Sequence, residues 1–76
     1  MMKPDAVSSI CHKIERDWGS DGYSIREISE GPIVGTAIAE VWASDGSFFW
    51  IGADRWGNTT ASHTDRALAW NELIQM

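Results

Sequence analysis

The sequence predicts an α+β fold with the order α-β-β-β-α, in which a three-stranded antiparallel meander has two helices packed on one face. Three patterns predict it: an apolar stripe with helical spacing near the start, two apolar stretches joined by Asp45-Gly46, and a second helical pattern near the end. With 76 residues there is room for one small core, so we expect a single domain over 1–76.

The first helix is expected to begin at Pro4, which lacks the N–H that a first helical turn leaves unpaired, and Asp5 suits the positive end of the helix dipole. Gly19 is the expected C-terminal stop. Between them, apolar side chains fall three or four positions apart: Val7, Ile10, Cys11, Ile14 and Trp18. This spacing predicts one buried side.

The first strand is predicted after a turn at 20–22, over 23–29, with Tyr23, Ile25 and Glu27 on one side. Pro32 disfavours helical backbone in the residue before it and therefore predicts a loop. The second strand is expected to begin at Ile33 or Val34.

Asp45-Gly46 predicts a two-residue hairpin turn, because Asp-Gly is typical of type I′ turns with positive φ at both positions. This turn sets Trp42 opposite Phe49, Glu40 opposite Ile51 and Ala39 opposite Gly52. The face with Ala39 and Gly52 is then expected to receive both helices. The other face would carry Ile38, Glu40, Trp42, Phe49 and Ile51.

After the hairpin, residues 54–58 predict a tight turn with Gly57 and Asn58 at positive φ, followed by a short edge extension or a loop at 59–61. A closing helix is expected from about Asp65 to Ile74, with Ser62 or Thr64 as its N-cap. Most of the eight aromatic side chains are expected in the core, since a chain this short needs their large buried area.

Two helices cannot cover both faces of a three-stranded sheet, so Trp42 and Phe49 are expected to stay partly exposed. Two such rings offer roughly 300–500 Å² of apolar surface, a size typical of binding sites. The alternatives are a homodimer through this face, or coverage by the first helix or a terminus.

Negative charge is concentrated in 15–45. This segment contains seven carboxylates and two arginines, and its charge of −5 equals the net charge of the whole chain. Glu27, Glu30, Glu40 and Asp45 are the carboxylates expected to contact a partner. Such a surface repels phosphates and attracts basic proteins, so we expect no direct contact with nucleic acid.

Catalytic and metal-binding patterns are absent from the sequence. Cys11 and His12 are adjacent on the predicted helix and therefore point about 100° apart, and His63 is expected in a capping loop. We expect no enzyme activity and no cofactor or metal. No apolar stretch approaches the roughly 20 residues of a membrane span, and the start does not read as a signal peptide, so a cytoplasmic protein is expected.

Arg55 and Trp56 allow two interpretations. In the first, Trp56 folds back over the edge of the core and Arg55 pairs locally. In the second, both residues contact a partner, since Arg and Trp are enriched in binding hot spots.

The element order resembles that of the double-stranded RNA-binding domain. That domain's second helix opens with a lysine cluster that grips phosphates, whereas this chain has Ser62-His63-Thr64-Asp65-Arg66 there. With one arginine and a net negative charge, RNA binding is not expected.

The chain resembles the anti-CRISPR proteins of phages and mobile elements in four respects. These are its small size, its acidity between Glu15 and Asp45, its single cysteine and its lack of an active-site pattern. The resemblance implies a stoichiometric inhibitor in the host cytoplasm that docks on a CRISPR effector subunit, often at its DNA-binding surface, with carboxylates in place of phosphates. The alternative function is a homodimeric structural or assembly accessory protein of a phage or mobile element.

Overall fold

The computed structural model describes residues 6–18 and 22–76. It contains α1 (Ala6–Trp18), β1 (Ser24–Glu30), β2 (Ala37–Trp42), β3 (Phe48–Ala53) and α2 (Arg66–Gln75), and the three strands form one antiparallel sheet in the order β1-β2-β3. The α+β class and the element order are therefore confirmed. The expectations for Pro4, Asp5, Gly19 and the first part of the turn at 20–22 lie outside the described residues.

The hairpin between β2 and β3 differs from the prediction by one residue. The N–H of Ala43 donates to the Ser47 carbonyl over 2.8 Å, which leaves a three-residue loop, and Gly46 alone in that loop has positive φ, at 92°. A tight turn followed by a glycine at positive φ is the usual three-residue hairpin loop.

This change of register moves every β3 side chain to the opposite face relative to β2. Trp42 pairs with Phe48, Val41 with Phe49 and Ala39 with Ile51. The predicted neighbours Trp42 and Phe49 therefore lie on opposite faces of the sheet.

The two helices pack on opposite faces, so the prediction of one shared face is wrong. On the first face, Ile10 and Ile14 of α1 form the core with Ala39, Val41 and Ile51. On the second, Leu73 of α2 lies against Gly52, the pairing partner of Ile38. Ile38 and Ile51, both expected on an exposed face, are only 1% and 0% exposed.

A bulge at Arg26 divides β1. Ile25 pairs with Val41, but the next paired residue is Glu27, opposite Glu40. The extra residue shifts the alternation, so Ile25 lies on the α1 face and Glu27 on the α2 face, not side by side as predicted.

Residues 58–63 cover the free edge of β3. The backbones of His63 and Trp50 exchange two hydrogen bonds of 2.7 and 2.9 Å, and the N–H of Thr60 donates to the Gly52 carbonyl over 2.8 Å. Nε2 of His63 lies 2.6 Å from Oε1 of Glu72, which ties this segment to α2. Of the two alternatives for 59–61, an edge extension and a loop, the structure has the extension, as isolated bridges, and β1 is left as the open edge of the described sheet.

The core is aliphatic rather than aromatic. The largest fully buried side chains are Ile10, Ile38, Val41, Ile51, Thr60 and Leu73. Trp18, Tyr23 and Phe49 pack against its margin as a cluster with ring centroids 4.8 to 5.8 Å apart. Within the described residues, no helix is long and apolar enough to cross a membrane.

Candidate protein-binding surface

The half of the α2 face nearest the hairpin carries three aromatic rings that α2 leaves partly uncovered. The rings of Trp42 and Phe48 stack at 4.7 Å between centroids, and Trp50 meets Phe48 edge to face at 5.2 Å. Phe48 is 43% exposed, and both tryptophans are half-buried. We name this surface the aromatic half-face; it consists of Trp42, Phe48 and Trp50 together with Arg26, Glu27 and Glu40.

The extent of α2 explains why this surface is open. Leu73 covers Gly52 of β3, which pairs with Ile38 of β2, and Ile38 in turn pairs with Ser29 of β1. Three residues paired across the sheet in this way form one row. The next row towards the hairpin is Glu27, Glu40 and Trp50, and the one after it is Ser24, Trp42 and Phe48. A helix of only ten residues covers the first row and leaves the other two rows in contact with water.

Glu27 and Glu40 lie directly opposite each other on β1 and β2. Like charges at opposed positions of an antiparallel pair destabilise the pair. Glu40 accepts a hydrogen bond of 2.9 Å from Nε1 of Trp42, while neither carboxylate forms an ion pair with a basic side chain of the described residues. An external cation between them would relieve the repulsion.

Two arginines border the carboxylates without pairing with them. The guanidinium of Arg26 lies over the Trp42 ring at 4.9 Å, and that of Arg66 lies over Trp70 at 5.1 Å and donates to Oγ of Ser29. A cavity of about 160 Å³ opens among Glu27, Glu40, Trp50 and Arg66. The surface therefore offers rings and charges of both signs, a composition suited to binding a protein.

The acidic residues expected to act together are dispersed. Glu27 and Glu40 share the α2 face, but Glu30 pairs with Ala37 and lies on the opposite face. Asp45 lies at the hairpin tip, where hydrogen bonds from the hydroxyl and backbone N–H of Ser47 hold the pKa of its carboxyl below the ordinary value. The predicted set of four carboxylates therefore reduces to one adjacent pair.

Phe49 is also removed from the candidate surface. It packs on the α1 side against Trp18 and Tyr23, so the predicted pair of Trp42 and Phe49 does not form one patch. Its position is taken by Phe48 and Trp50, which the sequence placed on the helix-covered face. The sequence signal that could have found them is the three-residue loop that Asp45-Gly46 also allows, because it pairs Trp42 with Phe48 and Glu40 with Trp50.

Arg55 and Trp56 lie at the other end of the molecule, in the turn after β3. Oδ1 of Asp54 accepts hydrogen bonds from the N–H groups of Trp56 and Asn58, and Oδ2 accepts from the Asn58 side chain. Trp56 is 69% exposed, with the Arg55 guanidinium over its ring at 4.3 Å. Trp56 therefore does not fold back over the core, and Asn58, unlike Gly57, does not have positive φ.

The residues considered for catalysis are not assembled into a site. Cys11 is half-buried on α1, and His12 beside it is exposed. Among the described residues, no group of three or more His, Cys, Asp or Glu side chains is placed to hold a metal ion.

Comparisons of the chain with protein-family models, with curated proteins and with solved structures found no match.

Proposed function

We propose that this chain is a small non-enzymatic inhibitor that acts by placing the aromatic half-face on a basic surface of another protein. The observation that carries the proposal is the opposition of Glu27 and Glu40 beside a partly exposed cluster of three rings. A lysine or arginine of the partner inserted between the carboxylates would relieve their repulsion, while the rings would supply the apolar contact.

The partner we propose is the nucleic-acid-binding site of an effector complex, in the manner of anti-CRISPR proteins, encountered in the cytoplasm of a bacterial host. The net charge of −5 favours this class because it steers the chain towards phosphate-binding surfaces and away from phosphates themselves. The contact uses two carboxylates rather than a row of four, so any mimicry of DNA is local.

Binding to purified CRISPR effector complexes, measured by surface plasmon resonance at moderate salt, tests the charged part of the site. Glu27→Lys is expected to weaken binding by about tenfold or more, because it replaces the cation-binding pair with a repulsive charge. Glu15→Lys is the matched control, since Glu15 is also exposed and the change in net charge is the same, but it lies on α1. Equal loss in both variants would show that net charge alone acts and would refute this site.

The apolar part of the site is tested by Phe48→Ser, which is expected to raise the dissociation rate while leaving the association rate nearly unchanged. Leu68→Ser is its control, because Leu68 is similarly exposed, at 50%, but lies on α2. If none of the complexes binds the wild-type chain, the proposed partner class is wrong.

A further inference from the structure

One end of the molecule carries an exposed aromatic side chain beside an apolar groove. The groove, about 570 Å³, lies between the start of α1 and the β1–β2 loop, and Val7, Ile28, Ile33 and Val34 are among its lining residues. Ile33 and Val34 also line a smaller cavity with Trp56 and Met76, so the ring and the groove belong to one continuous surface.

This surface carries the two most exposed large apolar side chains of the described residues, Val34 and Trp56. Val34 is 88% exposed, and Ile33 and Met76 are about half exposed beside Trp56. The turn that presents Trp56 is held by the hydrogen bonds to Asp54, so little conformational freedom is lost when the ring enters a pocket. A cluster of this kind is typical of a protein interface.

The charges at this end are complementary to each other. Arg55, stacked on Trp56, forms no ion pair with a carboxylate of the described residues, and Glu30 on the groove lining forms none with a described basic residue. The two side chains carry opposite charge and lie on the two adjoining parts of the surface. A second copy of the same surface can therefore satisfy both.

We infer that two copies of this chain associate through this end, with Trp56 of each copy in the groove of the other and Arg55 of each beside Glu30 of the other. A two-fold axis makes such an interface self-complementary, because each ring meets a groove and each cation meets a carboxylate. The interface differs from the sheet face at which the sequence predicted a dimer, and it does not depend on the proposed inhibitory function.

The small size of the chain limits the area that two copies can bury between them. A standard interface takes about a tenth of a small protein's surface from each partner. For a chain with 4940 Å² of accessible surface this is roughly 500 Å² per copy, near the lower limit for a specific complex. We therefore expect a weak dimer whose population depends on protein concentration.

Sedimentation equilibrium from about 1 µM to 1 mM tests the inference. The wild type is expected to approach twice the 8.4 kDa chain mass at the upper end. Arg55→Glu and Glu30→Arg should each reduce the association constant by about tenfold or more, because each places like charges together twice in the symmetric dimer. Trp56→Ala should abolish association, and Glu15→Arg, on α1, should leave it unchanged.

The decisive sample is an equal mixture of Arg55→Glu and Glu30→Arg. In the mixed dimer both contacts join opposite charges, so association should return to near the wild-type level although each variant alone stays largely monomeric. Circular dichroism spectra matching the wild type would show that both variants fold. A wild type that remains monomeric throughout, or a mixture that does not recover, would overturn the inference.

Discussion

Gly52 and Leu73 are in direct contact where α2 meets the sheet: a Cβ added to Gly52 would lie 2.7 Å from Cδ1 and 2.9 Å from Cγ of Leu73. The contact requires the absence of a side chain. We expect Gly52→Ala to lower the free energy of unfolding by about 1–3 kcal/mol, because the added methyl group forces α2 outward. Urea denaturation followed by tryptophan fluorescence measures the change.

A double-mutant cycle assigns this loss to the contact itself. Leu73→Ala alone is expected to cost about 2–5 kcal/mol through the cavity it leaves. The added methyl group partly fills that cavity, so the double variant should lose less than the sum of the two single variants. Strict additivity would contradict the packing described for α2.

The hairpin loop makes a prediction that separates the two possible registers. Gly46 has positive φ and Asp45 does not. Gly46→Ala should therefore cost about 1–2 kcal/mol. Asp45→Gly should also destabilise, since it removes the bonds from Ser47 and adds freedom to the unfolded chain.

A two-residue turn with positive φ at both positions would instead make Asp45→Gly neutral or stabilising. Chemical denaturation of both variants distinguishes the cases. Phe48→Tyr is a suitable control, because it leaves the loop unchanged and its added hydroxyl can reach water from a partly exposed ring.

The turn at Asp54 predicts a dependence of stability on pH. Burial raises the pKa of this carboxyl, but the hydrogen bonds from the Asn58 side chain and from the backbone of Asn58, Trp56 and Gly57 outweigh burial and lower it below the ordinary value of 3.8. Ionised Asp54 therefore stabilises the fold fully above that value, and the stabilisation is lost as the pH falls through the lower pKa of the folded state.

The stability difference between the wild type and Asp54→Asn should accordingly be largest near neutral pH and shrink below pH 3.8. The pKa values of Asp17 and Asp45 are also lowered by hydrogen bonding. Both residues are present in both proteins, so their contributions to the pH dependence of stability largely cancel in the difference. Urea titrations at several pH values provide the measurement. A difference that grows on acidification would contradict the hydrogen bonding of this turn.

The element order could be predicted because it rests on local patterns. The spacing of Ile10 and Ile14 marks one side of a helix wherever that helix packs, and Asp45-Gly46 marks a hairpin whichever loop length it adopts. The length of the hairpin loop was ambiguous, because Asp-Gly suits both a two-residue turn and the end of a three-residue loop. One residue of difference then misplaced Phe48, Phe49 and Trp50 together.

The observed register has a physical reason that the dipeptide does not contain. It places Ile51 and Ala53 on the face of Ala39 and Val41, where α1 buries them completely. The predicted register would have set Ile51 on the side of Glu40. Whole-face burial, not turn preference, therefore explains the pairing.

Because of the additional residue at Arg26, the side chains of β1 alternate between the two faces of the sheet in opposite order before and after the bulge. Glu27 and Ser29, after the irregularity, lie on the α2 face, while Ile25, one step before it, packs against the α1 core. The same irregularity interrupts the hydrogen-bonding rim that another extended chain would need for a regular ladder. One inserted amino acid thus makes the uncovered edge of the sheet a poor template for pairing with a second strand.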